Sequence, residues 1–170
     1  MFICYGEGGN GKNIVMDLLQ RLAPDYVATA APALLMVSAR GAEADAPSAA
    51  TASLAGSRMV IASESKAGAR LDTAVIKAHT GNKYMRARFL NGNPFTFEVT
   101  HKLWLMTNYR PRIDDLDAAT RGRLHILPFD MRWNRPGTIR DPSLPDGDKA
   151  LEKTLWGEAV GVLAWLVQGA

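Results

Sequence analysis

Short apolar runs alternate with amphipathic segments along the chain, and glycines or prolines separate them. Four runs of large or β-branched apolar residues predict buried strands, at positions 2–5, 58–62, 103–107 and 124–127. Apolar residues at helical spacing predict a helix that begins at Lys12 and ends before Pro24. Asp72 is suited to cap another helix, which extends to about His79. This alternation predicts an α/β fold with a mostly parallel central sheet flanked by helices.

A β-hairpin is predicted directly before the third of these strands. Apolar and polar residues alternate over 84–90 and again over 95–99, and Asn91-Gly92 between them favours a tight turn. The alternation places Arg86 and Arg88 on one face of the hairpin and apolar side chains on the other.

The remaining segments are less regular. The stretch 28–55 is rich in alanine and predicts little beyond a short helix that Ser48 is suited to cap. Residues 130–148 are rich in Pro, Gly and Asp and predict a long loop. In the C-terminal segment 149–170, apolar spacing predicts a single closing helix over about Lys149–Gln168.

Composition is that of one globular domain. The chain has 170 residues, of which 47% are apolar and 22% are charged. Its longest uncharged apolar run, 30–39, contains a proline and is well short of the ~20 residues that cross a membrane, so no membrane association is expected. The single cysteine, Cys4, excludes a disulfide framework and a cysteine-cluster metal site, and predicts a reducing, cytoplasmic compartment.

Positive charge is concentrated in one segment. The net charge is only +3, yet residues 77–112 contain seven Lys or Arg side chains and one acid, Glu98, whereas acids exceed bases in the rest of the chain. This distribution favours contact with a polyanion, the alternative being a chance cluster on a solvated face.

A glycine-rich loop follows the first strand and leads into the first helix. It reads Gly6-Glu7-Gly8-Gly9-Asn10-Gly11-Lys12 and matches the first seven positions of a phosphate-binding loop. Glycines let consecutive backbone N–H groups surround phosphate oxygens, the helix directs its positive end at them, and Lys12 neutralises their charge. Asn13 stands where Ser or Thr normally offers a hydroxyl to Mg²⁺, and its amide oxygen is an alternative ligand.

Polar residues end two of the predicted strands. Glu64 stands where such ATPases place the acid that holds the metal and orients the attacking water, the alternative being a surface glutamate. Asn108 suits a sensor of the γ-phosphate, although an isolated Asn at a strand end is usually a turn residue.

A longer series of motifs extends over nearly the whole chain. It comprises 58–64, 71–72, 76–77, 80–81, 95–97, 101–108, 111–113, 121–129 and the closing helix 151–165. In this order, and behind the glycine-rich loop, the series resembles the superfamily III helicase domain of phage and plasmid primase–helicases. The resemblance implies a P-loop NTPase of the AAA+ type with a β-hairpin inserted before motif C.

The resemblance also implies roles for individual residues. Gly6–Lys12 would be motif A, Glu64 the acid of motif B and Asn108 the sensor of motif C. Arg123 would be an arginine finger that reaches the γ-phosphate of a neighbouring subunit, with Arg121 the less favoured candidate. The family works as a homohexameric ring whose hairpins track single-stranded DNA, and here the DNA-binding residues would be Lys83, Arg86 and Arg88.

Three positions depart from the family pattern. Asn13 replaces the usual hydroxyl residue, and Asn82-Lys83 stands where relatives often have Gly-Asp. The hairpin tip, Asn91–Asn93, has no basic residue, so contact with the DNA backbone would fall to Arg86 and Arg88.

The resulting expectation is that residues 1–170 form the ATPase core of a longer primase–helicase. With ATP and Mg²⁺ it would translocate on single-stranded DNA, in the cytoplasm of a bacterial host or phage-infected cell, alongside a primase domain or subunit. Two alternatives stay open: a scaffold that binds nucleotide and DNA without hydrolysis, as Asn13 suggests, and a P-loop small-molecule kinase. The kinase leaves the basic hairpin unexplained.

Other candidate residues predict no second site. The three histidines, at 79, 101 and 125, lack the Cys or carboxylate spacing of a metal centre. The aspartates at 114, 115 and 117 are interpreted as solvated loop residues that cap the next short helix.

Overall fold

The computed structural model describes residues 1–37, 48–63, 67–134 and 137–169. Its elements are β1 (Phe2–Tyr5), α1 (Lys12–Leu22), β2 (Val27–Ala30), α2 (Ala49–Ala52), β3 (Met59–Ser63), α3 (Thr73–Gly81), β4 (Tyr84–Ala87), β5 (Phe95–Glu98), β6 (Lys102–Thr107), α4 (Ala118–Arg121), β7 (His125–Pro128), α5 (Leu151–Gly157) and α6 (Ala159–Gln168). Short 3₁₀ turns flank β2 on both sides.

Five strands form one parallel sheet in the order β2-β3-β6-β1-β7, which confirms the mostly parallel central sheet. β1 lies between β6 and β7, and Tyr5 is aligned with Thr107 on one side and Pro128 on the other. Since all five strands run in one direction, the segments that follow β1, β6 and β7 leave the sheet at the same edge. The glycine-rich loop and Asn108 are therefore neighbours.

Helices pack on both faces of the central strands, where successive residues point to opposite sides of the sheet. The burial predicted for the strand at 124–127 is wrong, because β7 lies at the edge of the sheet and all four of its residues are exposed. Cys4 belongs to a buried cluster with Met16 of α1, and Ile3 belongs to a separate cluster with Ile76 of α3. Strands buried on both faces read as continuous apolar runs, as in the sequence of β1.

Side-chain caps begin three helices. Ser48 caps α2, Asp72 caps α3 and Asp117 caps α4, each accepting hydrogen bonds of 2.7–3.1 Å from first-turn amides. These amides have no partner within the helix, so the caps fix where each helix starts. The predicted caps at Ser48 and Asp72 are confirmed, and so is the interpretation of the aspartate cluster at Asp117.

One strand was not predicted. β2 pairs with β3 at the edge of the sheet, within the alanine-rich stretch. Its four residues, Val-Ala-Thr-Ala, bury little apolar surface and show no clear periodicity, so the pairing with β3 decides the strand rather than local preference.

The C-terminal segment also differs from its prediction. The single helix expected over Lys149–Gln168 is two helices, and the break falls at Gly157 and Glu158. Glycine is about 1 kcal/mol less favourable than alanine inside a helix, which favours an end of α5 at Gly157, although α6 accommodates Gly161. α5 is held against α1 by Arg21, whose guanidinium lies 4.0 Å from the centre of the Trp156 ring. In the described part of the chain, no helix has the length and apolar character needed to span a membrane.

Candidate nucleotide site and hairpin surface

The glycine-rich loop connects β1 to α1, and its geometry requires glycine at positions that include Gly6 and Gly11. A Cβ atom on Gly6 would collide with the carbonyl oxygen of Phe129. Gly11, which precedes α1, has a left-handed backbone with φ of 81°. Glycine has no Cβ atom to collide at the first position and adopts the left-handed backbone of the second at little cost. The loop geometry therefore accounts for both glycines.

Lys12 is the first residue of α1, and its side chain turns back over the loop. The residue is 5% exposed. Its Nζ donates to the carbonyl oxygens of Gly6 (2.5 Å) and Glu7 (3.4 Å), and to Oδ1 of Asn10 (3.1 Å) and Asn108 (3.2 Å). Oxygen acceptors replace the lost hydration of the ammonium, so the positive charge is held at the centre of the loop.

Asn108 reaches this position from β6. It follows Thr107, whose carbonyl oxygen accepts a hydrogen bond of 3.3 Å from the Gly6 amide. The Thr107 hydroxyl donates to the Tyr109 carbonyl (2.7 Å) and accepts from the Tyr109 amide (3.1 Å), which holds the turn around Asn108. Two residues predicted separately, Lys12 and Asn108, are therefore brought into contact.

The N-terminus of α1 is electropositive. Unlike α2, α3 and α4, it has no capping side chain at its N-cap, and its first turn contains no acid. A helix start carries partial positive charge and unpaired amides, which together attract anions. With Lys12 beside it, this end of α1 suits a phosphate group.

A segment after β7 lies along the loop, which the sequence did not indicate. The Phe129 carbonyl oxygen accepts a hydrogen bond of 3.0 Å from the side-chain amide of Asn10. The Trp133 amide donates to the carbonyl oxygen of Gly9 over 3.0 Å. Residues 129–133 therefore form one wall of the loop.

The same wall neutralises the loop's acid. Arg132 pairs with Glu7 at 3.0 Å, with both side chains more than half exposed. Exposed ion pairs contribute little to stability, but this pair offsets the negative charge within the glycine-rich loop. No sequence signal marks it, since the partners lie in a loop and a turn far apart along the chain.

The two predicted magnesium ligands have different outcomes. Asn13 is exposed and is the second residue of α1, beside Lys12. Glu64 lies outside the described residues. Across the ranges that the structure covers, no three His, Cys, Asp or Glu side chains come together as a metal centre.

Arg123 lies where the parallel strands begin, at the end opposite the glycine-rich loop. Phe2 is aligned with His125, so Arg123 comes just before the start of β7. Its carbonyl oxygen accepts a 2.6 Å hydrogen bond from the amino terminus of Met1. Its guanidinium donates to a carbonyl of α4 over 2.7 Å. Arg123 therefore does not join the loop of its own chain, and its contact with a neighbouring subunit stays a prediction. Arg121 is exposed at the end of α4.

The predicted hairpin is formed by β4 and β5 and presents a basic outer face. Arg86 is exposed, whereas its neighbours Met85 and Ala87 are buried. Lys83 and Arg88 flank the strand and are also exposed. The described structure thus places the three predicted DNA-binding residues on accessible surface.

The connection between the hairpin strands is longer than a tight turn. Ala87 pairs with Phe95, so residues 88–94 form the connection. Within it, the Gly92 amide donates to the Phe89 carbonyl over 2.9 Å, and Asn91 has a left-handed backbone with φ of 58°. The turn at Asn91-Gly92 is confirmed, with extra residues on either side.

Two histidines form a buried contact that the sequence did not reveal. His79 Nδ1 lies 3.1 Å from His101 Nε2, joining α3 to the segment that enters β6. Burial, and secondarily the proximity of His101, lowers the pKa of His79 to about 4. Burial, with Lys102 as the smaller cause, also lowers the pKa of His101. Because these elements flank the hairpin, the pair ties its two ends together.

Comparison with known families identifies the chain. Residues 4–123 match the family model DUF5906, described as a family of unknown function. The chain belongs to the DUF5906 family. The matched region of this DUF5906 domain includes the glycine-rich loop, the hairpin and Asn108, and ends at Arg123.

Two viral relatives are similar to this region. The domain is 30% identical over 128 residues to a protein of Acanthamoeba polyphaga mimivirus named as a helicase, L207/L206. It is 28% identical over 137 residues to a protein of Frog virus 3 (isolate Goorha) named as a helicase, 022R. The alignments cover 75% and 78% of this chain but only 13% and 14% of the relatives. The chain thus spans about one seventh of these proteins.

Solved structures share the fold. An apo structure of the NrS-1 C-terminal region matches 95% of this chain with a TM-score of 0.63 and 13% identity, and a second form matches 93% with a TM-score of 0.61. About a third of each of those chains is covered. At this identity the likeness concerns architecture.

Proposed function

We propose that this domain is the ATPase core of a superfamily III-type DNA helicase, which hydrolyses ATP to move along single-stranded DNA. The observation that carries the proposal is the contact between Lys12 of the glycine-rich loop and Asn108 at the end of β6. The contact supports the proposal because it brings a cation and a polar side chain together at the edge of a parallel sheet where P-loop proteins bind phosphates. The helicase names of the viral relatives support the same interpretation.

In the proposed hydrolysis of ATP, each of these residues has a separate role. Lys12 and the start of α1 bind the phosphates and stabilise negative charge that develops as water attacks the γ-phosphorus and the bond to ADP breaks. Asn108 orients the γ-phosphate, and Glu64 is assigned to position the water. Mg²⁺, held by Asn13 and the assigned Glu64, would supply further neutralisation of phosphate charge. Arg123 is assigned to the site of a neighbouring subunit in a homohexameric ring.

The hairpin provides the coupling to DNA. Its outer face carries Lys83, Arg86 and Arg88 in exposed positions, while its inner face is fixed by buried apolar side chains. Phosphate contacts from such a face bind single strands regardless of base sequence. A primase domain or subunit would lie elsewhere in the longer protein.

Phosphate release measured with and without single-stranded DNA tests the proposal. We expect hydrolysis that DNA stimulates, and a hexameric mass in the presence of a non-hydrolysable ATP analogue. Binding of nucleotide and DNA without phosphate release would instead support a scaffold, the alternative that the missing hydroxyl at Asn13 suggests. Hydrolysis that requires a small-molecule acceptor would support a kinase.

A further inference from the structure

The tip of the hairpin is apolar and fully accessible. Leu90 is 86% exposed and Phe89 is 52% exposed, and every residue of the 88–94 connection lies at the surface. A lone exposed apolar residue is ordinary, but here two adjacent ones lie in the connection at the end of a basic hairpin.

The tip is held in place from behind. The Phe89 ring stacks on Phe95 at 5.7 Å, and Phe95 contacts Phe97 at 6.1 Å. Phe97 belongs to the buried cluster that joins the hairpin to α2 and α3. The hydrogen bond from Gly92 to Phe89 closes the turn. Because these contacts extend from the core to Phe89, Leu90 is carried on a supported turn.

Positive charge lies beside the apolar tip, on the strand that leads into it. Arg86 and Arg88 lead up to it, and among the described residues neither side chain has a hydrogen-bond or ion-pair partner. The nearby acid, Glu98, lies opposite Tyr84 at the far end of the strand pair. An apolar point within a basic surface is complementary to a partner that has both phosphates and flat apolar faces.

We infer that Leu90, supported by Phe89, is a wedge that packs against the terminal base pair where duplex DNA opens into single strands. The inference rests on the proposed DNA-binding role of the hairpin. Apolar side chains of DNA-binding proteins insert at base steps and unstack them, while neighbouring basic residues hold the backbone. A membrane surface has related chemistry, but two side chains offer little area for insertion, and membrane affinity scales with that area.

A forked DNA with 2-aminopurine at its first base pair tests the wedge. The complete chain is compared with Leu90→Ala, with Leu90→Met as the conservative variant and Ile139→Ala as the control. Ile139 is 99% exposed and lies outside the hairpin. Binding to the fork and to a single strand of equal length is measured by anisotropy, and unstacking by 2-aminopurine fluorescence.

We expect the unchanged chain to bind the fork several-fold more tightly than the single strand and to raise 2-aminopurine fluorescence. Leu90→Ala should lose both effects while its single-strand affinity stays within about twofold, and Leu90→Met and Ile139→Ala should keep them. Fork preference and fluorescence that survive in Leu90→Ala would overturn the wedge but leave the proposed function intact. No DNA binding by the unchanged chain would overturn both. Vesicles of 3:1 phosphatidylcholine and phosphatidylserine provide the comparison with a membrane. If only Leu90→Ala loses vesicle binding and its fork binding is unaltered, the tip binds membranes instead of DNA.

Discussion

The ammonium group of Lys12 lies 3.2 Å from the side-chain oxygen of Asn108, although the two residues are 96 positions apart in the chain. The contact exists because β1 and β6 are adjacent and parallel, so that the loop after one strand meets the residue after the other. Taken alone, Lys12 could follow an ordinary glycine-rich turn, and Asn108 could be an ordinary turn residue at the end of a strand. Their contact favours the nucleotide site and can be tested from both sides.

Lys12→Ala should abolish nucleotide turnover. Removing one charged group that stabilises the transition state costs about 3–4 kcal/mol, which corresponds to a rate reduced about 10²–10³-fold. Phosphate release measures the effect, thermal unfolding checks that the fold is kept, and Lys149→Ala serves as a control at an exposed lysine. Unchanged turnover in Lys12→Ala would exclude the phosphate-loop assignment.

Asn13→Ser should retain or raise activity, since a hydroxyl is the usual ligand at that position.

Arg123→Ala should act in trans. Arg123 is remote from its own glycine-rich loop, so subunits carrying the change should bind ATP but fail to stimulate their neighbours. Mixed with Glu64→Gln subunits, which are expected to be inactive alone, they should recover part of the hydrolysis at mixed interfaces. If rings of both subunits are shown to form and no mixture recovers activity, Arg123 has no role between subunits.

The double change Arg86→Ala and Arg88→Ala should weaken binding to single-stranded DNA for every base sequence. The slope of log affinity against log salt should become shallower by about 0.7 for each phosphate that the protein no longer neutralises. Basal hydrolysis should survive because neither arginine contacts the glycine-rich loop, and only stimulation by DNA should fall. Lys149→Ala with Lys153→Ala removes equal charge from exposed positions elsewhere and controls for net charge. An unaltered slope would direct attention to Lys102, Arg110 and Arg112.

Stability should fall as the pH decreases from about 6.5 toward 4. The folded pKa of His79 is about 4, below the ordinary 6.5, so in this window the unfolded chain binds more protons than the folded one. Its contribution is complete above pH 6.5 and is lost as the pH falls, by an amount on the order of 3 kcal/mol. Urea unfolding between pH 7.5 and 5 measures the slope, and NMR titration of the imidazoles follows the pair directly. A His79 resonance that titrates near 6.5 in the folded chain would contradict the prediction.

Gly6→Ala should destabilise the fold, whereas Gly157→Ala should not. The new methyl group at Gly6 would meet the Phe129 carbonyl, and strain of this kind costs about 1–3 kcal/mol. At Gly157 a Cβ has open space, and alanine should add up to about 1 kcal/mol of helix stability. Chemical denaturation of both variants provides the comparison, and equal stabilities would show that the loop tolerates a side chain at Gly6.

Local patterns in the sequence were sufficient for most elements. The glycine-rich loop, the caps at Ser48 and Asp72 and the alternation in β4 each depend on residues within a few positions of one another, where backbone geometry and capping chemistry act directly. The same reasoning failed for β2, whose residues have weak local preference. It also predicted one helix where α5 and α6 are found, because apolar spacing continues past Gly157, where α5 ends.

Only the tertiary structure decided which of these elements meet. The parallel order of β1 and β6 brings Asn108 to Lys12, and the return of the chain after β7 places Arg132 beside Glu7. The same folding buries His79 against His101, yet leaves Leu90 exposed at the end of a supported hairpin. The sequence by itself determines the phosphate-type loop and the approximate positions of most strands and helices. Contacts between distant segments follow from strand order and packing of the whole chain, which short-range patterns do not specify.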